Sequence, residues 1–308
     1  MNNSNSKRIA EKLNISHFIY DYKEIFNKKV IRPFIDEYLK GSTPNPCLSC
    51  NKTIKFGLFY DLLKIHDAGF IATGHYLKKS YDFQNKIYSL SRPENLAKDQ
   101  TYLMYFLDQW KLAHTLFPLG DIENKEKAKE IVSGFDIEIS TKRESVNICF
   151  TDGADYRTFI ETNTDIDTTG EFVDINGKIL GRHKGIYNFT IGQKKCLGLD
   201  FDEKFSVVKI NGNKNEIVLG DDELTYYKIL IAKEVNIINP NLDVEKSEYT
   251  AKICQWGYFL KCKLYKMGKS KFKVIFSEKV RAITLGQSIV FYDNMDLVGG
   301  GIIESIIA

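Results

Sequence analysis

The chain has 308 residues and a nearly balanced charge, with a formal net of +3 at pH 7. This length allows two or three domains with a sizeable core. The net charge is too small to establish nucleic-acid binding, although local basic patches could still provide it. Six cysteines in a chain of this size do not form a disulfide scaffold.

The N-terminal residues 1–7 are polar and contain no apolar core, so the sequence shows no sign of a signal peptide. No apolar run approaches the roughly 20 residues that a bilayer-spanning helix needs. We therefore expect a cytoplasmic, reducing location and no membrane partner.

Helices and short strands alternate in the first part of the chain. Residues 7–13 predict a helix, 18–20 a short strand and 24–39 a second helix, in which apolar residues recur about every 3.6 positions. Gly41 is expected to end this helix, and Asn51 to cap the next one after a proline turn. The third helix is expected to bury a stripe of Ile54, Leu58, Leu62 and Ile65, widened by Phe59 and Leu63.

A buried strand is predicted for residues 70–73, ending at Gly74-His75-Tyr76. Further helical stretches are predicted for 103–115 and 125–132. The order strand, helix, strand with short connections favours a parallel α/β sheet.

Helical periodicity disappears after about residue 160. Asn176-Gly177 lies between two strand candidates and indicates a hairpin, and residues 211–215 separate two more apolar runs. Recurring glycines between 181 and 198 are typical of a small barrel with tight corners. The predicted organisation is an α/β domain at 1–155, a small central β domain at 156–225 and a C-terminal β domain at 226–308.

Cys47 and Cys50 form a C-x-x-C pair beside a proline turn. A zinc site needs two more ligands at suitable spacing, and the sequence offers no second pair, so we expect no structural metal. A thioredoxin-like redox pair is an alternative, although that motif has different flanking residues. Placed just before a helix start and near Lys52 and Lys55, Cys50 is expected to favour its thiolate.

The other cysteines carry weaker signals. Cys149 lies between Ile148 and Phe150, and this context alone favours a core strand. Two thiols that meet in the fold can carry, pass and release a sulfur atom, since a thiolate attacks a disulfide or persulfide sulfur. Three cysteines have no distinguishing context and are expected to be structural: Cys196, Cys254 and Cys262.

Two polar segments follow predicted strand or loop ends. Gly74 comes after a strand, where open α/β sheets bind ligands and a glycine lets a nucleotide approach the backbone. His75 beside it is equally compatible with a packing role. The triplet Lys98-Asp99-Gln100 is most often a solvated N-terminal turn when such a triplet stands alone.

Taken together, these motifs resemble the tRNA-specific 2-thiouridylases, which install sulfur on the wobble uridine of certain tRNAs. The resemblance runs through nearly the whole chain, and such an ordered series of matches is highly specific. It implies an ATP-pyrophosphatase-type (adenine nucleotide alpha hydrolase-like) α/β domain, a small central β domain and a C-terminal β-barrel. The matching stretches are 41–56, 71–76, 98–102, 117–120, 145–150, 181–198 and 281–303.

The resemblance also implies a chemistry. ATP, with Mg²⁺, would adenylate the 2-oxygen of the uridine, and Gly74 matches an ATP-contacting position. Cys149 would bear a persulfide loaded by a sulfur-relay protein, and Cys50 would be its nucleophilic or disulfide partner.

The family's tRNA-facing positions carry over in the same way. Asn45, Pro46 and Cys47 match the loop that approaches the target base. An aspartate is common in the family where Cys47 stands, so Cys47 need not be catalytic. The other positions near tRNA are His75, Lys98, Asp99, Gln100 and Gln287.

The chain departs from the family pattern in two places. It has no Ser-Gly-Gly-x-Asp-Ser loop to cradle the ATP pyrophosphate. In addition, residues 253–256 stand where the family commonly has an Arg-Tyr pair, and there Trp256 either stacks on a base or packs in the barrel.

The missing loop has three explanations: an incomplete N-terminus, a loop supplied by a separate chain, or a relative that has lost adenylation. We expect the first, because Cys50, Cys149 and the tRNA-facing residues are intact. The alternative function is a non-catalytic or degenerate tRNA-binding relative. A third is a zinc-stabilised RNA-binding module that uses Cys47 and Cys50.

Overall fold

This computed structural model describes residues 3–135, 148–165, 167–199 and 205–307. The α-helices in these ranges are α1 (Asn3–Lys12), α2 (Lys23–Phe26), α3 (Arg32–Leu39), α4 (Pro46–Cys50), α5 (Phe59–Ile65), α6 (Gln109–Ala113), α7 (Lys125–Ser133) and α8 (Tyr156–Thr162). Each described helix is too short or too polar to cross a bilayer.

The strands of the described ranges form three sheets. They are β1 (Ile71–Ala72), β2 (Lys78–Asp82), β3 (Ile87–Ser91), β4 (Thr115–Leu116), β5 (Gly170–Asp174), β6 (Ile179–His183), β7 (Ser206–Asn211), β8 (Glu216–Gly220), β9 (Tyr226–Ile237), β10 (Glu248–Lys252), β11 (Leu260–Lys266), β12 (Phe272–Arg281), β13 (Ser288–Asp293) and β14 (Asp296–Ile307).

The predicted helix at 24–39 is confirmed as one continuous rod, in which α2 and α3 are joined by a π-helical turn at Asn27–Ile31. It ends as expected, because Gly41 adopts a φ of +83° that other residues rarely take. The short strand predicted at 18–20 is wrong. Phe18 and Ile19 lie in irregular chain, and their side chains are 58% and 65% exposed, so no sheet buries them.

The helix that carries the C-x-x-C pair begins earlier than predicted. Its N-cap is Asn45 and not Asn51, because the Asn45 side-chain oxygen accepts a hydrogen bond from the Leu48 backbone N–H at 3.1 Å. A π-helical turn at Asn51–Leu58 then joins α4 to α5 and contains non-helical backbone at Phe56. The π-helical turn changes which side chains of this segment and of α5 face the core. Ile54, Phe56 and Tyr60 are buried, whereas Ile65 of the predicted stripe is 64% exposed.

The predicted parallel α/β sheet is confirmed by β1 and β4, with Ile71 opposite Thr115. The strand is half-exposed and not buried as predicted, because β1 has one strand neighbour in the described part of the chain. The helix predicted for 103–115 is reduced to α6, preceded by 3-10 turns at Leu96–Lys98 and Thr101–Leu103.

The central domain is a four-stranded sheet in the order β6-β5-β8-β7. The predicted hairpin at Asn176-Gly177 is confirmed, and Gly177 takes a φ of +86° in the turn between β5 and β6. The two apolar runs separated by residues 211–215 pair antiparallel as β7 and β8. The core of this sheet contains Phe172, Val207 and Ile217.

The C-terminal domain is a barrel in which β13, β10, β11, β12, β9 and β14 pair in turn and the β13–β14 pairing closes the sheet. The β2–β3 hairpin joins this sheet through β14. The first domain packs directly on the barrel at Gly300, where an added Cβ would lie 2.7 Å from the Tyr105 ring. Asn236 reinforces the contact by donating hydrogen bonds to the backbone oxygens of Tyr105 and Leu107 at 2.7 and 3.0 Å.

Candidate functional site

Cys47 and Cys50 lie one turn apart in α4, Cys47 near its beginning and Cys50 at its end. Residues three positions apart occupy the same face of a helix, so both thiols project from one side of the turn. Cys47 is exposed and Cys50 is half-buried, and all six cysteines of the chain are free thiols. Buried Pro46 and the Asn45 cap fix the entry to this turn.

Cys149 lies on the surface next to an aromatic anchor. The neighbouring Phe150 makes edge-to-face contacts with Phe26 and Phe34, with ring centroids 5.9 and 5.4 Å apart. These rings belong to the α2–α3 rod, and α4 packs against the π turn of that same rod. The rod is therefore the common support of Cys149 and of the C-x-x-C turn. The part of the Cys149 motif at 142–147 lies outside the described residues.

Electrostatics links the three thiols. Desolvation raises the pKa of Cys47, and the nearby Cys149 raises it further. Desolvation also raises the pKa of Cys50, while Lys55 opposes this effect and Cys149 and Cys47 add to it. Each of these thiols therefore lies within electrostatic reach of the other two.

The expectation that Cys50 favours its thiolate is wrong for two reasons. Cys50 is the last residue of α4 and continues directly into the π-helical turn at Asn51–Leu58, so it does not lie at a helix start with exposed N–H groups. Of the two lysines named for this role, Lys55 does lower the pKa of Cys50, but less than desolvation raises it. Lys52 instead pairs with Glu234 of the barrel at 3.1 Å.

His75 is a buried packing residue beside the thiol-bearing helix. Its ring lies 5.7 Å from that of Phe56, and its Nδ1 lies 3.0 Å from the Thr73 hydroxyl. Burial, assisted by the charge of Lys55, lowers the pKa of His75 to about 4. The imidazole is therefore neutral near neutral pH.

The side chains of Asp99 and Gln100 stabilise the fold by an ion pair and hydrogen bonds. The expectation of a solvated turn is therefore wrong for them. The Asp99 side chain is 10% exposed, pairs with Arg92 at 2.7 Å and accepts hydrogen bonds from the Thr101 backbone N–H and hydroxyl. The Gln100 side-chain oxygen accepts a hydrogen bond from the Tyr76 backbone N–H at 2.9 Å. Lys98 is half-buried at the end of a 3-10 turn.

Gln287 is brought to the C-x-x-C side of the molecule by a barrel loop. The Leu285 backbone oxygen in this loop accepts a hydrogen bond from the Thr43 N–H at 3.3 Å. Gly286, with a φ of +82°, passes so close to Ser42 that an added Cβ would lie 3.1 Å from its Cβ. The structure thus joins the segment before Asn45 to the loop that carries Gln287.

Two surface features were not assigned by the sequence. A cleft of about 690 Å³ is lined by four cationic side chains and by Phe189, and part of its lining lies in the 181–198 stretch, to which the sequence assigned no site residue. Separately, Trp256 and Tyr258 are 78% and 88% exposed, so Trp256 does not pack in the barrel. The cationic side chains of the cleft are Arg157, Lys194, Lys195 and Arg281.

Among the residues that the structure describes, no group of three or more His, Cys, Asp or Glu side chains is arranged to hold a metal ion.

Comparisons with known proteins follow the same domain order. A model described as a tRNA methyl transferase HUP domain matches residues 2–153, a tRNA methyl transferase PRC-barrel domain matches 157–221, and an aminomethyltransferase beta-barrel domain matches 227–303. A tRNA-specific 2-thiouridylase MnmA of Clostridioides difficile strain 630 is 42% identical over 300 residues, which cover 97% of this chain and 83% of the relative. The chain belongs to the tRNA-specific 2-thiouridylase family.

Other relatives of the same description agree. MnmA 2 of Clostridium botulinum strain Loch Maree is 44% identical over 304 residues, covering 98% of this chain and 85% of the relative. MnmA 1 of Caldanaerobacter subterraneus is 44% identical over 303 residues, covering 97% and 82%. The family resemblance and the predicted order of an α/β domain, a small β domain and a C-terminal barrel are confirmed.

Proposed function

We propose that this chain is a tRNA sulfurtransferase that forms 2-thiouridine at the wobble position, using ATP to activate the uridine 2-oxygen and a cysteine persulfide to deliver sulfur. The observation that carries the proposal is the electrostatic coupling of Cys149 to Cys50, together with the exposure of Cys149, in a member of this family. A thiol pair in mutual reach is what release of a persulfide sulfur requires.

The proposed thiol chemistry starts at Cys149. Its exposure allows a sulfur-relay protein to load a persulfide there. The terminal persulfide sulfur attacks C2 of the activated uridine, a carbon–sulfur bond forms, and the activated oxygen leaves. The Cys50 thiolate then attacks Cys149 Sγ and breaks the sulfur–sulfur bond, so that the sulfur stays on the uridine and a Cys50–Cys149 disulfide remains. Two electrons from an external thiol reductant return both cysteines to the reduced state.

Lys55 contributes to the step that uses Cys50. It is the group that lowers the pKa of this thiol against the effect of burial. It therefore stabilises the thiolate at the moment of attack, when the proton has left for solvent.

The ATP part of the proposal rests on Gly74 and on the HUP-domain match. Gly74 follows β1, and an added Cβ would meet only the Leu119 side chain, at 3.7 Å, so the space in front of this backbone is open. Gly74 would lie against the nucleotide, and we derive no step through the triphosphate.

The tRNA would approach over the surface that the thiols share. Asn45, Pro46 and Cys47 form the turn at its centre, and the Gln287 loop lies beside the preceding segment. His75, Asp99 and Gln100 support this surface from within the fold, and Lys98 lies at its margin in this proposal. A flipped wobble base in a single-stranded loop is a target that proteins read directly.

The test is 2-thiouridine formation from unmodified tRNA, ATP with Mg²⁺ and a persulfide donor, measured by mass spectrometry of the digested tRNA. We expect Cys149→Ser and Cys50→Ser to abolish the product, while Cys254→Ser, a change of an exposed cysteine elsewhere, retains it. Full activity of both site variants would overturn the proposal.

A second candidate function is favoured by the cleft lined by Arg157, Lys194, Lys195 and Arg281. A non-catalytic tRNA-binding relative would bind tRNA with strong salt dependence and form no product under any supplementation. ATP-dependent product formation by this chain alone would eliminate it.

A further inference from the structure

Cys47, the third of the electrostatically coupled thiols, has no role in the chemistry above. It is the most accessible member of the C-x-x-C pair, since Cys47 is exposed whereas Cys50 is half-buried. It is also coupled to both other thiols, because Cys149 raises its pKa and Cys47 in turn raises that of Cys50.

The spacing of Cys47 and Cys50 suits a disulfide. Both residues belong to α4, three positions apart. Such residues have Cα atoms about 5 Å apart on an α-helix, and disulfides join residues with Cα atoms about 4.4–6.8 Å apart. The bond could therefore form in the first turn of this helix without moving the backbone far. The sequence left a redox pair as an alternative although the flanking residues differ from those of the thioredoxin motif, and the structure supplies the helical geometry for such a pair.

We propose that Cys47 is the resolving thiol that regenerates the persulfide-carrying cysteine after each sulfur transfer. The inference rests on the proposed function, which leaves a Cys50–Cys149 disulfide. The Cys47 thiolate attacks Cys50 Sγ, the Cys50–Cys149 bond breaks, and Cys149 leaves as a thiolate while a Cys47–Cys50 disulfide forms. This exchange consumes no electrons.

The two electrons that the overall cycle requires enter at a second, separate step. The Cys47–Cys50 disulfide lies at an exposed position and accepts two electrons from an external dithiol reductant, which becomes a disulfide. Cys149 is free for reloading as soon as the internal exchange is complete. Reduction and reloading thus act on different sulfur atoms.

Because Cys47 and Cys50 lie on one helical turn, the attack is intramolecular and needs no diffusion of a second molecule. The raised pKa of Cys47 limits its thiolate near neutral pH. The exchange should therefore accelerate as the pH rises toward that pKa.

The first experiment needs neither tRNA nor ATP. The reduced chain is oxidised with a limiting amount of diamide, quenched with acid at successive times, alkylated and mapped by mass spectrometry. We expect the wild-type chain to accumulate the Cys47–Cys50 disulfide with Cys149 alkylated, and Cys47→Ser to retain the Cys50–Cys149 disulfide. Persistence of Cys50–Cys149 in both proteins, or the absence of any Cys47 disulfide in the wild type, would overturn the inference.

The second experiment uses turnover. In Cys47→Ser and Cys47→Asp, the later turnovers with a dithiol reductant should be slowed at least about tenfold more than the formation of the first equivalent of 2-thiouridine. Equal multiple-turnover rates would refute the resolving role. Failure of the wild type to thiolate tRNA would count against the proposed function, while the diamide map would still decide the role of Cys47.

Discussion

A substitution of Phe150 tests whether the position of Cys149 matters, because it leaves the Cys149 thiol in the chain. The Phe150 ring packs edge-to-face on Phe26, Phe34 and Phe159, with centroids 5.2 to 5.9 Å apart. Truncating a fully buried phenylalanine costs about 3–5 kcal/mol. Because Phe150 is half-buried but makes three aromatic contacts, we expect Phe150→Ala to cost about 2–3 kcal/mol.

The rate of disulfide formation should fall by more than the loss of global stability alone would cause. Without the ring, Cys149 keeps only the packing of its other neighbour, Ile148, on the apolar cluster that includes Phe34 and Ile35 of the rod. We expect the diamide-driven formation of the Cys50–Cys149 disulfide, measured in a Cys47→Ser background, to slow by about tenfold or more. Urea denaturation supplies the stability, and rates are compared under conditions where both proteins are folded.

Two matched variants make the result interpretable. Phe150→Leu keeps apolar volume and should retain most of the disulfide rate, whereas Phe83→Ala removes a ring that is 86% exposed and should change neither quantity. Unchanged disulfide formation in folded Phe150→Ala would refute the claim that the aromatic anchor positions Cys149.

Three further predictions follow from the contacts of the site. Asn45→Ala should lower the free energy of unfolding in urea by about 1 kcal/mol through loss of the helix cap, and Asn45→Asp should not. The pKa of His75 falls to about 4 on folding, so the unfolded chain binds the proton more readily. Stability should therefore decline by up to about 3 kcal/mol between pH 6.5 and pH 4, and His75→Gln should remove that part of the decline in urea titrations at each pH. Arg157→Ala should weaken tRNA binding in filter assays and reduce the salt slope by about 0.7–0.9, whereas Lys279→Ala, on the barrel surface, should leave the slope unchanged; equal slopes would exclude a phosphate contact at the basic cleft.

Local patterns predicted the elements that depend on neighbouring residues. The helix at 24–39 follows from its apolar repeat, and the hairpin at Asn176-Gly177 follows from the turn that these residues favour. The start of α4 was misplaced because both Asn45 and Asn51 are suitable caps, and only the structure shows which side chain accepts the N–H. The π turn at Asn51–Leu58 has no comparable sequence signal, and it moved Ile65 out of the buried face.

Local sequence patterns could not predict the features that depend on contacts between residues far apart in the chain. The contact between Tyr105 and Gly300, which holds the α/β domain on the barrel, joins segments nearly two hundred residues apart. Cys149 alone favoured a core strand, and its pairing with Cys50 came from the family resemblance. The structure shows that Phe150 packs on the rod against which α4 also packs, and this contact supports the proposed pairing.

The central claim is that Cys149 carries the sulfur and Cys50 releases it. The most direct measurement loads the reduced chain with a persulfide donor, maps the added sulfur by mass spectrometry, and then follows it after addition of tRNA and ATP. The account predicts one extra sulfur on Cys149, which passes to tRNA in the wild-type chain and stays on the protein in Cys50→Ser. An added sulfur that never resides on Cys149, or that leaves Cys50→Ser as fast as it leaves the wild type, would contradict the account.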